Sequence, residues 1–377
     1  MASSTMLTTS KRILIFSLAY YPVEGGAEIA VKEITRRIPD IEFDMVTMRF
    51  DKKHQKFEKI GNVNIYRVGG GFGYLSKILF VPQAALFALR RKYDFYWATM
   101  TNMLFPITLM RMAWNRTPYI LNLQDGDPFE YVFERFRIRI FKPLLSYGFR
   151  HATKVQAISN FLAKWAKDMG YKGEVAVIPN GVDAKKFENQ NTKLFGTNVV
   201  LITTSRLVEK NAVADIIDAL TFLPKNVSLK ILGTGELKDE LKLKVANQNL
   251  ANRVTFLGHV PYEDIPKHLH KADIFVRPSL SEGMGNSFIE AMAAGLPVIA
   301  TPVGGIPDFL KDGETGLFVE PKSPRLIAFQ VQKLLSDRVL RHKLIINAKR
   351  MVIEKYDWDL IAKEMKTRIF DLPAADR

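Results

Sequence analysis

"DIFVRPSLSEGMGNSFIEAMAAGLPVIAT", residues 273–301, holds two short apolar runs, "DIFVRPS" and "PVIAT", parted by a glycine-containing loop and a helix-forming stretch. Strand, loop, helix and strand in so few residues is the repeating unit of a parallel sheet covered by helices. The helix is expected over 286–294. Gly283 and Gly285 leave the amides of Met284, Gly285, Asn286 and Ser287 bare, which makes an anion site at a helix N-terminus. Glu282 stands in the loop and Glu290 on the first turns of the helix. Two carboxylates beside a phosphate repel it unless they hold something else. Sugar hydroxyls are natural donors, because a carboxylate accepts a pair of bonds from a vicinal diol. The plainer alternative, a surface loop with a cap acid and an exposed helical Glu, fits less well, since Ile289 and Ala291 flank Glu290.

The same alternation extends outward. Upstream, "RILIFSL", "FDMVTM", "VNIYRV", "DFYWATM", "YILNLQ", "KVQAIS" and "VAVIP" read as strands, with helices expected at 27–38 and 161–169. The pattern pauses at "PNGVDAKKFENQNTKLFGTN", a polar and turn-rich linker, then resumes with "VVLITTS", "VSLKIL", "VTFLG", "DIFVRPS", "PVIAT" and "GLFVE". Two successive Rossmann-like α/β domains account for this, 1–180 and 181–356, with 357–377 crossing back to complete the first.

Composition narrows the function classes. The chain has 377 residues, 47% hydrophobic and 25% charged, which suits a globular protein with proper cores. With no cysteine, disulfides and thiolate metal sites are excluded, and a reducing cytoplasmic setting fits. "MASSTMLTTSKR" has no apolar signal core, and no apolar run approaches the ~18 residues that span a bilayer. The net charge of +15 favours an anionic partner: nucleic acid, a phosphate-bearing small molecule or an acidic membrane surface. The cations are dispersed and no recognition helix or aromatic-basic sheet motif occurs, so nucleic acid is the weakest of the three.

Three further loops could face a ligand. In "TTSRLVEKNAVADIIDAL", Arg206 and Lys210 lie between a strand and a helix opening near Ala212. Two cations there would neutralise a diphosphate, Arg206 by its fork and Lys210 as a point charge; a solvated basic loop is as good a reading of these residues alone. Gly233 and Gly235 of "ILGTGE" would let backbone approach a ligand, though tight turns use glycine for structural reasons too. Gly25 and Gly26 of "YYPVEGGAEIAVKEI" open a second bare helix N-terminus, or an ordinary turn.

Taken together, the Gly25-Gly26 loop, "IPNGVD", Arg206 with Lys210, "GTGE", Glu282 with Glu290, and "EAMAAGLPVIATPVGGIPDFLKDGETGLFVEP" resemble the retaining glycosyltransferases of family 4. The resemblance covers nearly the whole chain and is most specific over 179–321. It implies the GT-B fold, in which two Rossmann-like domains face each other across a cleft. It also implies a nucleoside diphosphate sugar as donor, UDP- or GDP-linked. Arg206 and Lys210 would bind the diphosphate, Glu282 would hold hydroxyls of the transferred sugar, and residues 284–287 would meet sugar and phosphate. Glu290 would grip the ribose, and the backbone around Gly258, His259 and Val260 would face the base.

Two positions depart from the family pattern. The first-domain histidine is replaced by "LNLQDGDPFE", where Asp125 or Asp127 is a candidate sugar or acceptor contact, and Asn211 stands where glycine is usual. His268 and His270 are spaced by two, so their rings diverge on a helix; neither a metal nor any other cofactor is expected. The implied reaction moves a hexose to a hydroxyl of a glycan or lipid-linked acceptor, in cell-surface polysaccharide or glycolipid synthesis. A sugar-nucleotide epimerase of the same fold and a non-catalytic nucleotide-sugar binder are the alternatives. "FERFRIRIFKPLLSYGFRHATK" mixes Arg135, Arg137, Arg139 and Lys142 with Phe136, Ile140 and Phe141, and "GYLSKILFVPQAALFALRRKY" is similar. Such stretches suit an anionic membrane surface on the inner face of the cell membrane, or else a core face with a solvated rim.

Overall fold

The computed structural model describes residues 10–71, 74–189 and 196–371. The chain divides into two compact units: Met1–Asp125 with Phe129–Ile178 and Ile361–Arg377, and Gly126–Pro128 with Pro179–Leu360.

The first unit is built on eight strands: β1 (Lys11–Phe16), β2 (Ile41–Met48), β3 (Phe57–Ile60), β4 (Val63–Val68), β5 (Phe95–Thr99), β6 (Tyr119–Leu123), β7 (Lys154–Ala157) and β8 (Val175–Val177). Their order is β3-β4-β2-β1-β5-β6-β7-β8, parallel except for the antiparallel pair β3 and β4. In β1, Ile13, Leu14, Ile15 and Phe16 are all buried, so both faces of the strand are covered, and the sequence shows a continuous apolar run without alternation. β3 was not among the expected strands. Its "FEKI" is short, charged and alternately exposed, which is how an edge strand avoids further pairing. The expected helices form at Gly26–Arg36 and Asn160–Asp168, the latter capped by the Ser159 side chain.

The chain returns to this first unit after the second is complete. Residues Met365–Phe370 wind as a π-helix that buries Met365, Ile369 and Phe370. The Phe370 ring lies 5.1 Å from Trp97, 6.0 Å from Phe43 and 6.1 Å from Phe95. Lys366 pairs with Asp40 at 2.7 Å. Residues 372–377 of the expected crossing segment lie outside the described residues.

The second unit carries β9 (Val199–Thr204), β10 (Val227–Leu232), β11 (Val254–Gly258), β12 (Ile274–Arg277), β13 (Val298–Ala300) and β14 (Leu317–Phe318). All neighbours are parallel, in the order β11-β10-β9-β12-β13-β14. Its core joins Leu201, Leu229, Ile231, Ile274 and Val276 of the sheet to Ile216 and Leu220 of helix Val213–Leu220 and to Ile327 and Val331 of helix Pro324–Ser336. Each such side chain contributes about 1.5–3 kcal/mol on leaving water.

Strand order reverses between β9 and β12, the switch point where open α/β sheets bind ligands beyond the carboxyl ends of their strands. The expected linker contains regular structure. Asp183 caps a short helix, Ala184–Phe187, and Val182 donates its N–H to the Tyr356 carbonyl at 2.8 Å. Trp358 is fully buried against Gly181, where a Cβ would meet its ring at 2.8 Å. Residues 190–195 lie outside the described residues.

Candidate active site

The loops that follow β9 and β12 carry most of the expected site residues. The β-branched run of β9 ends at Thr204, and Glu209–Asn211 forms one 3-10 turn. Ala212 takes a left-handed conformation, φ 48°, from which helix Val213–Leu220 starts. Arg206 is exposed, and among the described residues its guanidinium makes no ion pair. The Lys210 Nζ lies 2.9 Å from Asp127 Oδ1.

After β12, Glu282 is buried and precedes Gly285, whose φ of 87° starts helix Asn286–Ala293. No side chain caps that helix, in agreement with the expected bare N-terminus. Gly283 and Met284 are buried, while Asn286 and Ser287 are half-buried; the Asn286 carboxamide oxygen accepts from Asn180 at 3.2 Å. Glu282 is held from behind by Gly304. A Cβ at Gly304 would lie 1.8 Å from the Glu282 carbonyl oxygen, and its φ is +57°, so the residue must lack a side chain. The neighbouring Gly305 N–H donates to the same carbonyl at 3.1 Å.

Arg277, the last residue of β12, was not singled out in the sequence. Its buried guanidinium donates through Nη1 to Ser287 Oγ at 2.7 Å. Nη2 donates to Asn211 Oδ1 at 2.9 Å and to Glu282 Oε2 at 2.5 Å. Asn211, at the position where the family pattern has glycine, completes the link by donating from Nδ2 to the Arg206 carbonyl at 2.7 Å. No local pattern announces this, because a cation at a strand end is ordinarily solvated.

Gly126 was overlooked as well. A methyl group built on it would lie 3.1 Å from Lys210 Nζ, 3.5 Å from Glu282 Oε1 and 3.7 Å from the Gly283 nitrogen. A cation, a carboxylate and a backbone amide thus converge on Gly126, where a side chain would crowd them. Ser281 Oγ fixes the segment by donating to the Gly126 carbonyl at 3.2 Å. Of the two candidate aspartates, only Asp127 comes to this place. Asp125 is buried in the first unit, where its carboxylate accepts from the Thr101 hydroxyl at 3.0 Å and the Thr101 N–H at 3.3 Å.

Glu290 is buried in helix Asn286–Ala293. Burial raises its pKa to about 7, against the smaller opposing effects of Arg277, Lys186 and a hydrogen bond from Tyr262. The amine of Lys186 sits 4.7 Å over the Tyr262 ring and 2.5 Å from Glu263 Oε2. A carboxyl poised near neutrality accepts hydroxyl donors when ionised and is itself a donor when protonated.

The remaining expected residues have other settings. Gly233 and Gly235 approach backbone: a Cβ would lie 1.9 Å from the Ser205 carbonyl oxygen and 2.3 Å from that of Leu207. Their smallness lets the loop after β10 pack on the loop after β9. His259 is exposed and Val260 half-buried, directly after Gly258. Gly25 and Gly26 belong to the first unit, where Gly25 precedes helix Gly26–Arg36 and no side chain caps it.

Comparison with known proteins gives these loops a family. Residues 184–351 match the model for glycosyl transferases group 1, and residues 24–186 match that for glycosyltransferase family 4. Two uncharacterised glycosyltransferases of Methanocaldococcus jannaschii are similar. One is 33% identical over 51% of this chain and 52% of its own length, the other 27% identical over 90% and 93%. A GDP-mannose-dependent phosphatidylinositol monomannoside mannosyltransferase of Mycobacterium tuberculosis is 29% identical over 54% of this chain and 57% of its own. The match therefore spans only about half the length of two of these three relatives. Among solved structures, Anabaena HepE in complex with UDP and glucose superposes with a TM-score of 0.79, at 23% identity, over 96% of this chain and all of that one. The chain belongs to the family 4 glycosyltransferases and has the GT-B fold.

Proposed function

We propose that the chain transfers a hexose from a nucleoside diphosphate sugar to a hydroxyl with retention at the anomeric carbon, and that the donor occupies the loops after β9 and β12. One observation carries this: Lys210, Glu282 and the Gly283 amide converge at Gly126, beside an uncapped helix N-terminus. A diphosphate bearing a sugar presents both an anion and a set of hydroxyl donors, and this place offers a complement to each. HepE, solved with UDP and glucose, and the GDP-mannose-dependent relative support a nucleotide-linked donor without choosing between UDP and GDP.

Each group has a task in this reading. Arg206, Lys210 and the amides of residues 284–287 stabilise the departing diphosphate, the usual electrostatic route to a lower barrier. Glu282 holds hydroxyls of the sugar, Glu290 those of the ribose, and Gly258 to Val260 border the base. The bond from the anomeric carbon to the phosphate oxygen breaks and a bond to the acceptor oxygen forms on the same face. The acceptor's proton passes to the leaving phosphate. Side chains and amides meet the phosphate charge, so no metal or other cofactor enters.

For the acceptor we favour a lipid-linked or membrane-borne hydroxyl. Phe136 is 85% exposed, Trp114 81% and Ile140 69%, and Ile78 and Met112 are exposed too, all in the first unit. The exposed cations Arg90, Lys92, Arg116, Arg135 and Arg139 lie on the same stretches. Exposed apolar rings among cations suit an anionic bilayer surface at the cytoplasmic face. Phe133 and Phe149 of the same region are core, and the Arg137 side chain lies outside the described residues. No helix among the described residues is long and apolar enough to cross a membrane.

The test is a thermal-shift panel of UDP, GDP and ADP, followed by product analysis with the matching sugar donors. A raised melting point with one diphosphate and an α-linked product from an α-linked donor is expected. No shift with any diphosphate, or an inverted product, would overturn the donor site or the retention respectively.

A further inference from the structure

The geometry points to Arg277 as the positioning residue of the donor site: it clamps Asn211, Glu282 and Ser287 into one frame and leaves Glu282 Oε1 directed to the sugar. This rests on the donor site proposed above. Arg277 ends β12 at the switch point of the sheet, and its three partners come from three separate stretches. Asn211 belongs to the loop after β9, Glu282 to the loop after β12, and Ser287 to the first turn of helix Asn286–Ala293. The bonds run at 2.9 Å, 2.5 Å and 2.7 Å. A planar guanidinium can serve three acceptors in fixed directions, which a lysine ammonium on a flexible stem cannot.

Two further features make the clamp directional. The guanidinium carbon lies 5.4 Å from the Phe288 ring centroid, which fixes its plane from one side. Its bond to Glu282 uses Oε2, while Oε1 is the oxygen that lies 3.5 Å from the methyl position above Gly126, beside Lys210. One carboxylate oxygen is thereby spent on orientation, while the other, Oε1, accepts no hydrogen bond from a described residue and is left for a hydroxyl of the donor sugar. Asn211 transmits the same constraint to the Arg206 carbonyl, so the basic loop and the acidic loop are registered against each other by one side chain. A displacement of about 1 Å at a reacting centre can cost about 100-fold in rate.

The experiment compares wild type, Arg277→Lys and Asn211→Ala, measuring nucleoside diphosphate affinity by calorimetry and donor turnover in parallel. Arg277→Lys is expected to bind the diphosphate within about threefold of wild type while kcat falls about 100-fold. Asn211→Ala, which leaves the Arg277–Glu282 pair intact and creates no unpaired buried charge, is expected to lower the melting point through the loss of two buried hydrogen bonds and, per folded molecule, to lower kcat by about 10-fold. A merely structural role would lower affinity and turnover together, in proportion to the folded fraction. Normal kcat in Arg277→Lys overturns the inference. Should that variant not fold, normal kcat in Asn211→Ala does so instead. If wild type itself binds no nucleoside diphosphate, the donor-site reading falls and the inference falls with it.

Discussion

The amine of Lys210 rests 2.9 Å from the carboxylate of Asp127, a residue that is distant in sequence but belongs to the same structural unit. The pair is informative because Lys210 is also the cation assigned to the donor diphosphate. Asp127 therefore competes for the charge that the phosphate needs. The aspartate is 41% exposed, so the pair is worth at most about 1 kcal/mol. Asp127→Asn is expected to tighten nucleoside diphosphate binding by up to about fivefold, a change that calorimetry resolves. Weaker binding in the variant would show that Asp127 helps the ligand and does not compete with it.

Loss of either cation has the opposite sign. Arg206→Ala and Lys210→Ala each remove a group aimed at charge that grows as the donor bond breaks. The expected fall in kcat is about 100- to 1,000-fold, with the melting point nearly unchanged for Arg206→Ala, whose side chain is exposed. Steady-state kinetics with a soluble acceptor checks this.

Glu290 gives a pH dependence with a definite direction. Its pKa in the folded chain is raised to about 7 from an ordinary 4.5. Between those values the unfolded chain has lost the proton and the folded chain keeps it, so stability falls as pH rises from about 4.5 to about 7 and is level above. Glu290→Gln removes this term. Denaturant titrations at pH 5 and pH 8 are expected to give similar stabilities at the lower pH and a gain of up to about 3 kcal/mol for the variant at the higher. Parallel pH curves for the two proteins would contradict a protonated Glu290.

Gly304 tests the support behind Glu282. Its added Cβ would fall 1.8 Å from the Glu282 carbonyl oxygen, at a φ of +57°. Gly304→Ala is expected to cost about 3 kcal/mol in chemical denaturation and to reduce turnover in whatever fraction still folds.

On the first unit, Phe136→Asp combined with Ile140→Asp is expected to abolish sedimentation with anionic vesicles at low salt while slow donor hydrolysis continues. Undiminished vesicle binding would remove this patch from the acceptor surface.

Much of this was legible in the sequence because parallel strands and glycine-marked loops announce themselves locally. The run from β12 through helix Asn286–Ala293 could be placed within a few residues, and Glu282 and Glu290 with it. Arg277 escaped because it sits at a strand end, where a cation is ordinarily solvated; only its three partners, 5 to 66 residues away in sequence, reveal that it is buried. Gly126 escaped for a related reason. A three-residue segment flanked on both sides by the first unit belongs to the second, and no local pattern encodes such a grouping. The strand β3 was lost because a charged, half-exposed edge has neither of the periodicities that mark a core element.

The slot formed by Phe43, Phe95 and Trp97 receives Phe370, a ring that follows the whole of the second unit in the chain. During synthesis the early sheet therefore emerges from the ribosome with its aromatic slot vacant, and it stays so while that unit is translated. A nascent chain of this protein carries a sticky, unfinished surface through most of its time on the ribosome, and only the arrival of the turn bearing Phe370 retires it.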